Sequence, residues 1–306
     1  MKNLLIILLG FLVAACNNPT SSENQATTSE PEAYSFSGEP LYARKVDSIG
    51  QAKSDSVIQN IRSKADLTEE DYIVMGRSLS GIGRFRKAVD VYSEGLEKFP
   101  SSYKLLRFRG HRYINLRQLE KAIADLNAAE ELIRPEPPIF EFDAAGNQGA
   151  SYQHQIWYHI GLYHFLNGKY TEGASAFEKS LATAYTGSDK AGASDWLYNC
   201  YMRTGDQQKA AEIARPFTAT FDIENKDYPY FRRLLLFNKA IQPGELVDEN
   251  KPIEEMSLYD ITKLYGLANH YRYAGDTTLA KSLYQKVLSS SEWAGFAYAA
   301  AELDVR

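Results

Sequence analysis

The sequence predicts an all-α solenoid of about five helix–turn–helix units, some of them degenerate, with a capping helix at each end. Three observations carry that prediction. A 34-residue unit occurs twice in succession between Glu69 and Glu136. Small residues recur where the two helices of a unit must cross closely. The other apolar residues fall at helical spacing, so each unit carries a stripe to bury against the next. One unit cannot bury its own stripe, so several must stack and the ends must be capped.

In the first copy Tyr72, Met75, Gly76, Leu79, Ala88, Tyr92, Gly95 and Pro100 hold positions 4, 7, 8, 11, 20, 24, 27 and 32. The second copy, from Tyr103, places Leu106, Arg109, Gly110, Tyr113, Ala122, Leu126, Ala129 and Arg134 there, with Pro135 one place late. This pattern resembles the tetratricopeptide repeat, a helix–turn–helix unit of that length. Position 8 on the first helix and positions 20 and 27 on the second must be small, and Gly76, Ala88 and Gly95 meet that need. Gly110, Ala122 and Ala129 do the same in the second copy.

Taken in order, the chain opens with a leader. Residues 1–16 read MKNLLIILLGFLVAAC, with Lys2 as the positive end, Leu4 to Val13 as the apolar core and Ala14-Ala15 before the cysteine. The apolar run is too short to span a bilayer as a mature helix. Val13-Ala14-Ala15-Cys16 resembles a bacterial lipobox, which implies a lipid on Cys16 and an address in the cell envelope. Asn17 follows, not Asp, and by the same resemblance favours the outer membrane. Residues 17–40 are rich in Ser, Thr, Asn, Glu and Pro and read as a disordered tether. The solenoid domain then runs over 41–306.

Within that domain a helix over roughly 52–64 is expected as the N-terminal cap. Thr68 and Asp71 should form a capping box at the first repeat. Residues 137–153 carry Pro137, Pro138, Gly146 and Gly149, which argue for a connection without helix. A third unit begins near His154 and a degenerate fourth near Ala191, where Tyr198 replaces the small residue at position 8. Tyr228 to Ala240 reads as one helix, followed by an acidic loop to Glu255. A last unit begins near Ile261. Trp293 to Leu303 reads as a closing helix, with Trp293 and Phe296 covering the exposed face of the last repeat.

Composition excludes some functions. The formal charge of −5 argues against a general nucleic-acid binder, which would show a basic face. With Cys16 lipidated, Cys200 has no partner, and its place at position 10 of a repeat helix predicts a buried, inert thiol. No HExxH, paired-cysteine, GxSxG, P-loop or GxGxxG pattern occurs, so no metal, cofactor or catalytic residue is expected.

The concave face is more informative. In tetratricopeptide arrays this groove is built from positions 2, 5, 9, 12 and 13 of the first helix of each unit. Those positions single out Arg77, Lys104, Arg107, His111 and Asn115, then Tyr158, then Asp195, Asn199 and Arg203, and finally Arg272. Guanidinium forks among them suit carboxylates or phosphates. If the cations are instead paired internally, Glu70 and Asp195 are the expected acids. Ile73 and Arg77 stand where the dicarboxylate clamp of chaperone-binding repeats has Lys and Asn, so that function is not implied.

Several segments, including 109–114, 156–162, 195–198 and 232–235, resemble a group of bacterial tetratricopeptide proteins without an assigned activity. That resemblance implies a shared architecture. The expectation is a lipid-anchored scaffold holding a partner protein or peptide in its groove. The alternative is a closed polar pocket for a small acidic ligand, lined by Arg107, His111, Tyr158 and Asp195. An open groove favours the first; a deep pocket built from those four favours the second.

Overall fold

The computed structural model describes residues 30–134, 136–142 and 146–306. The leader, Cys16 and the tether up to residue 29 lie outside the described residues. Residues Pro31–Arg306 form one compact unit.

Its frame is a run of paired helices. A first helix, α1 (Ser48–Arg62), starts earlier than expected because Asp47 caps it, accepting from the Gly50 N–H. The first repeat is α2 (Glu69–Gly81) with α3 (Phe85–Lys98), and the Thr68–Asp71 capping box is present. The second is α4 (Tyr103–Asn115) with α5 (Leu119–Ile133), and the third is α6 (Tyr152–Leu166) with α7 (Tyr170–Ala182). In the fourth, α8 (Gly187–Thr204) begins four residues before Ala191, at a second capping box of Thr186 and Asp189, and its partner α9 (Gln207–Ala214) is short. An extra helix, α10 (Pro229–Phe237), packs between α8 and α11 (Leu258–Tyr273). The last pair is α11 with α12 (Thr277–Leu288), followed by α13 (Phe296–Asp304).

The small positions work as the repeat requires. A Cβ on Gly76 would sit 2.2 Å from the Tyr92 ring, and one on Gly161 would sit 2.7 Å from Phe177. Those distances are inside hard contact, so the crossings cannot hold even alanine without moving a ring.

Two connections carry more order than their composition suggested. Residues 137–153 contain a hairpin of β3 (Phe140–Phe142) and β4 (Gln148–Ser151), with Phe140 against Tyr185 at 5.1 Å. The expected tether ends before residue 40. Strands β1 (Ala33–Tyr34) and β2 (Pro40–Leu41) pair, Ala33 and Leu41 are buried, and the Phe36 N–H donates to Glu302 at 2.9 Å. The apolar residues Phe36 and Leu41 supply the docking surface that the polar composition of 17–40 concealed.

The main departure from expectation is α13. Helix α13 packs on α11 and α12 of the last repeat as a cap does, but Trp293 and Phe296 reach beyond it. Trp293 crosses to the first repeat, packing edge-on to Phe85 at 5.5 Å and donating its indole N–H to the Tyr42 carbonyl. Phe296 packs on His111 of α4 and His159 of α6. Ala297, Ala299, Ala300 and Ala301 are all buried, although they point to different sides of one helix. A helix buried all round is covered on more sides than an end cap alone would be.

Candidate functional site

Three ion pairs, to the two carboxylates Glu302 and Asp304, fix α13 against the first helices of the array's units. Arg117 meets Glu302 at 2.8 Å, and its guanidinium also donates to the Trp293 and Asn115 carbonyls. Asp304 accepts from Arg203 and from Arg272, the latter at 2.9 Å, and takes the Tyr265 hydroxyl as well. Arg117, Glu302, Arg203 and Asp304 side chains are nearly inaccessible, so each charge is held by a partner and not by water.

Five of the groove residues read from the repeat positions, His111, Asn115, Tyr158, Arg203 and Arg272, therefore lie against the chain's own closing segment. Asn115 donates to the Ala294 carbonyl at 2.7 Å. The His111 ring lies 5.2 Å from Phe296, and Tyr158 accepts from the Trp196 indole at 2.8 Å. Asn199 accepts from the Asn269 amide and the Tyr273 hydroxyl, both at 2.9 Å. Asp195 pairs with Arg233 at 2.8 Å, fully buried. Neither Glu70 nor Asp195 neutralises the basic wall. Lys104 meets Glu69 at 3.3 Å, and Arg107 meets Glu141 at 3.3 Å from the β3–β4 hairpin and Gln155 at 2.6 Å. Arg77 stays exposed, with its guanidinium 5.9 Å from the Phe108 ring.

Beside α13 lies an accessible cavity of about 410 Å³. The end of α2 and the start of α3 give Ser80 and Phe85. Helix α4 gives His111, Arg112 and Asn115. Tyr228 and Tyr230 come from the head of α10, Tyr259 and Thr262 from α11, and Trp293 and Phe296 from the closing segment. Tyr259 is 41% exposed and stands at the mouth. Of the four residues expected to line a closed pocket, His111 reaches this cavity; Arg107, Tyr158 and Asp195 are spent on the contacts above.

Arg112 dominates the electrostatics of the cavity. Among the described residues, no carboxylate lies within ion-pair distance of it, and its Nε has no hydrogen-bond partner. One Nη2 donates to Nδ1 of His111 at 2.6 Å, which makes that nitrogen an acceptor and His111 a neutral imidazole. Burial, and then the Arg112 charge, hold His111 well below its ordinary range. Burial pushes the Arg112 guanidinium down to about 10, with Arg107 and Arg77 adding like-charge repulsion. Arg44 and Glu292 also line the cavity and face each other at 3.7 Å. Asn115 completes the set, because its Oδ1 is buried without a partner.

Sequence reasoning missed Arg112 because position 10 is not a groove position. The signal was nonetheless present. Cys200 holds position 10 of the fourth unit and is fully buried, so a charge at the same place in the second unit is an inward-facing charge.

Residues 73–137 match the family model of the tetratricopeptide repeat. A search of the curated proteins finds no match. Among solved structures the chain is similar to one titled "Crystal structure of MamA protein", at 17% identity over 73% of this chain and 92% of that one, with a TM-score of 0.40. It is similar also to "MamA RS-1 ArsTM double mutant", at 17% identity over 54% and 80%, TM-score 0.42. A third, "Crystal structure of YrrB: a TPR protein with an unusual peptide-binding site", matches at 13% identity over 77% and 90%, TM-score 0.41. With its 34-residue units, its small crossing positions and the family-model match over 73–137, the chain is a mostly helical solenoid of tetratricopeptide type.

Proposed function

We propose that this chain is a lipid-anchored interaction scaffold of the cell envelope, tethered through Cys16, and that it takes its partner protein or peptide at the cavity and not along the groove. The lipobox at Val13-Ala14-Ala15-Cys16 supports the anchor, and Asn17 favours the outer membrane. One observation carries the choice of docking place: α13 occupies the concave side, while the cavity keeps an accessible mouth edged by Tyr259 and walled by aromatic side chains. Buried aromatic anchors in such pockets supply most of the free energy in protein interfaces.

The test is a photo-crosslinking residue placed at Tyr259, with a second at Leu132, which is 41% exposed on α5, as the control. In native membranes the first should recover one specific partner and the second none. Recovery of the same partner from position 132, or of none from 259, contradicts the docking place. The anchor is tested separately: Cys16→Ser should release the protein from membranes and abolish fatty-acid labelling, and unchanged labelling refutes it.

A further inference from the structure

We propose that the floor of the cavity is a subsite for a carboxylate that carries an N–H or O–H donor and a flat apolar group next to it. The inference deepens the docking reading above, since it uses the same cavity, and it assigns the chemistry of what enters.

Four observations lead to it. Arg112 brings a positive charge with no carboxylate in reach among the described residues, and its Nε is unpartnered. A guanidinium left so, with Arg107 and Arg77 adding to the positive field, is costly unless an anion arrives. Its planar fork matches a carboxylate edge. Three residues along α4, on the same face, the buried Oδ1 of Asn115 is likewise unpartnered. The amide is oriented by its own N–H donating to the Ala294 carbonyl at 2.7 Å, so the free atom is an acceptor and requires a donor. Among the described residues none donates to it.

Around this polar floor the walls are rings. Phe85 and Trp293 meet edge-to-face at 5.5 Å, Phe296 covers His111, and Tyr228 and Tyr230 stand 5.5 Å apart at the head of α10. A cavity of about 410 Å³ is of the size that holds a small organic molecule or one terminal side chain. The chemistry is met by an N-acyl aromatic amino acid. Such a group arises from two sources, a free metabolite or the last residue of a peptide.

Calorimetry on the detergent-solubilised full chain tests the assignment with N-acetylphenylalanine, its C-terminal amide and 3-phenylpropionate. The acid should bind at least tenfold more tightly than the amide, which lacks the anion and so loses the charge-assisted pair. It should also bind more tightly than 3-phenylpropionate, which lacks the N–H for Asn115. Arg112→Gln should lose the preference for acid over amide, and Arg112→Lys, which keeps charge without the fork, should keep part of it. A pentapeptide ending in phenylalanine separates the sources: binding equal to the small acid points to a chain end, and exclusion points to a free molecule. Equal affinity for acid and amide in the natural chain overturns the subsite, whatever the variants do. No saturable heat with any probe overturns it as well. Either result leaves the crosslinking at Tyr259 to decide the docking place independently.

Discussion

Asp195 and Arg233 meet at 2.8 Å with neither side chain exposed, and Trp196, Tyr230 and Tyr265 stack around the guanidinium at 5.2–5.6 Å. Burial pushes the Asp195 carboxyl up to about 7, against the pull of Arg233. Gly266 exists to admit this arginine, since a Cβ there would sit 2.3 Å from Arg233 Cγ. Asp195→Ala should therefore cost about 3–5 kcal/mol, because it strands a buried cation, and chemical denaturation measures it. The histidines set a second, pH-dependent cost. His111 and His159 face each other at 4.3 Å, and burial foremost holds both well below their ordinary value of 6.5. The unfolded chain binds protons that the folded chain refuses, so stability is present at neutral pH and falls as pH drops below about 6.5. The expected slope is about 1.4 kcal/mol per pH unit for each histidine, offset in part by Asp195, whose raised carboxyl takes up a proton in the folded chain over the same range. Melting curves between pH 7 and 5 should show it, and His159→Gln should flatten it.

At the scale of elements, the turn between α4 and α5 differs from its counterparts. Gly83, Gly168, Gly205 and Gly275 all adopt positive φ after the first helix of their units, and Arg117 does so too, at φ 61°. A non-glycine residue there is strained by of order 1 kcal/mol or more. The strain is offset by what Arg117 reaches, the Trp293 carbonyl and the Glu302 carboxylate of the closing segment. Both Arg117→Ala and Arg117→Gly should loosen α13, but alanine keeps the strain and glycine relieves it. Arg117→Ala should be the less stable of the two by about 1 kcal/mol; equal melting would remove the argument. The same turn shows what could be read in advance. Helix pairs, capping boxes and the small crossing positions were legible because they are set by local spacing. The destination of α13 was not, since a Trp and a Phe near a chain end suit a cap as well as a plug. Its alanines on every side and the arginine at a glycine position were the signals for burial inside. Of the groove residues, Asn115, Arg203 and Arg272 meet the closing segment through long-range pairing that spacing does not encode, while Arg77 stays exposed.

For the whole molecule, the last helix packs on α11 and α12 and also reaches α6 and the α4–α5 turn, and the N-terminal hairpin meets it through Glu302. That arrangement covers part of the concave face, and the aromatic cavity beside α13 keeps access to solvent. The account rests on α13 being docked there. At nine residues it is too short to hold a helix by itself in water, so its backbone amides are protected only if tertiary contacts hold it. Native-state hydrogen exchange over residues 296–304 therefore tests the claim directly. The account predicts that these amides open with the same free energy as those of α4 and α6, and that Arg117→Ala lowers their protection. Exchange at the rate of a frayed chain end, with α4 and α6 still protected, would contradict it.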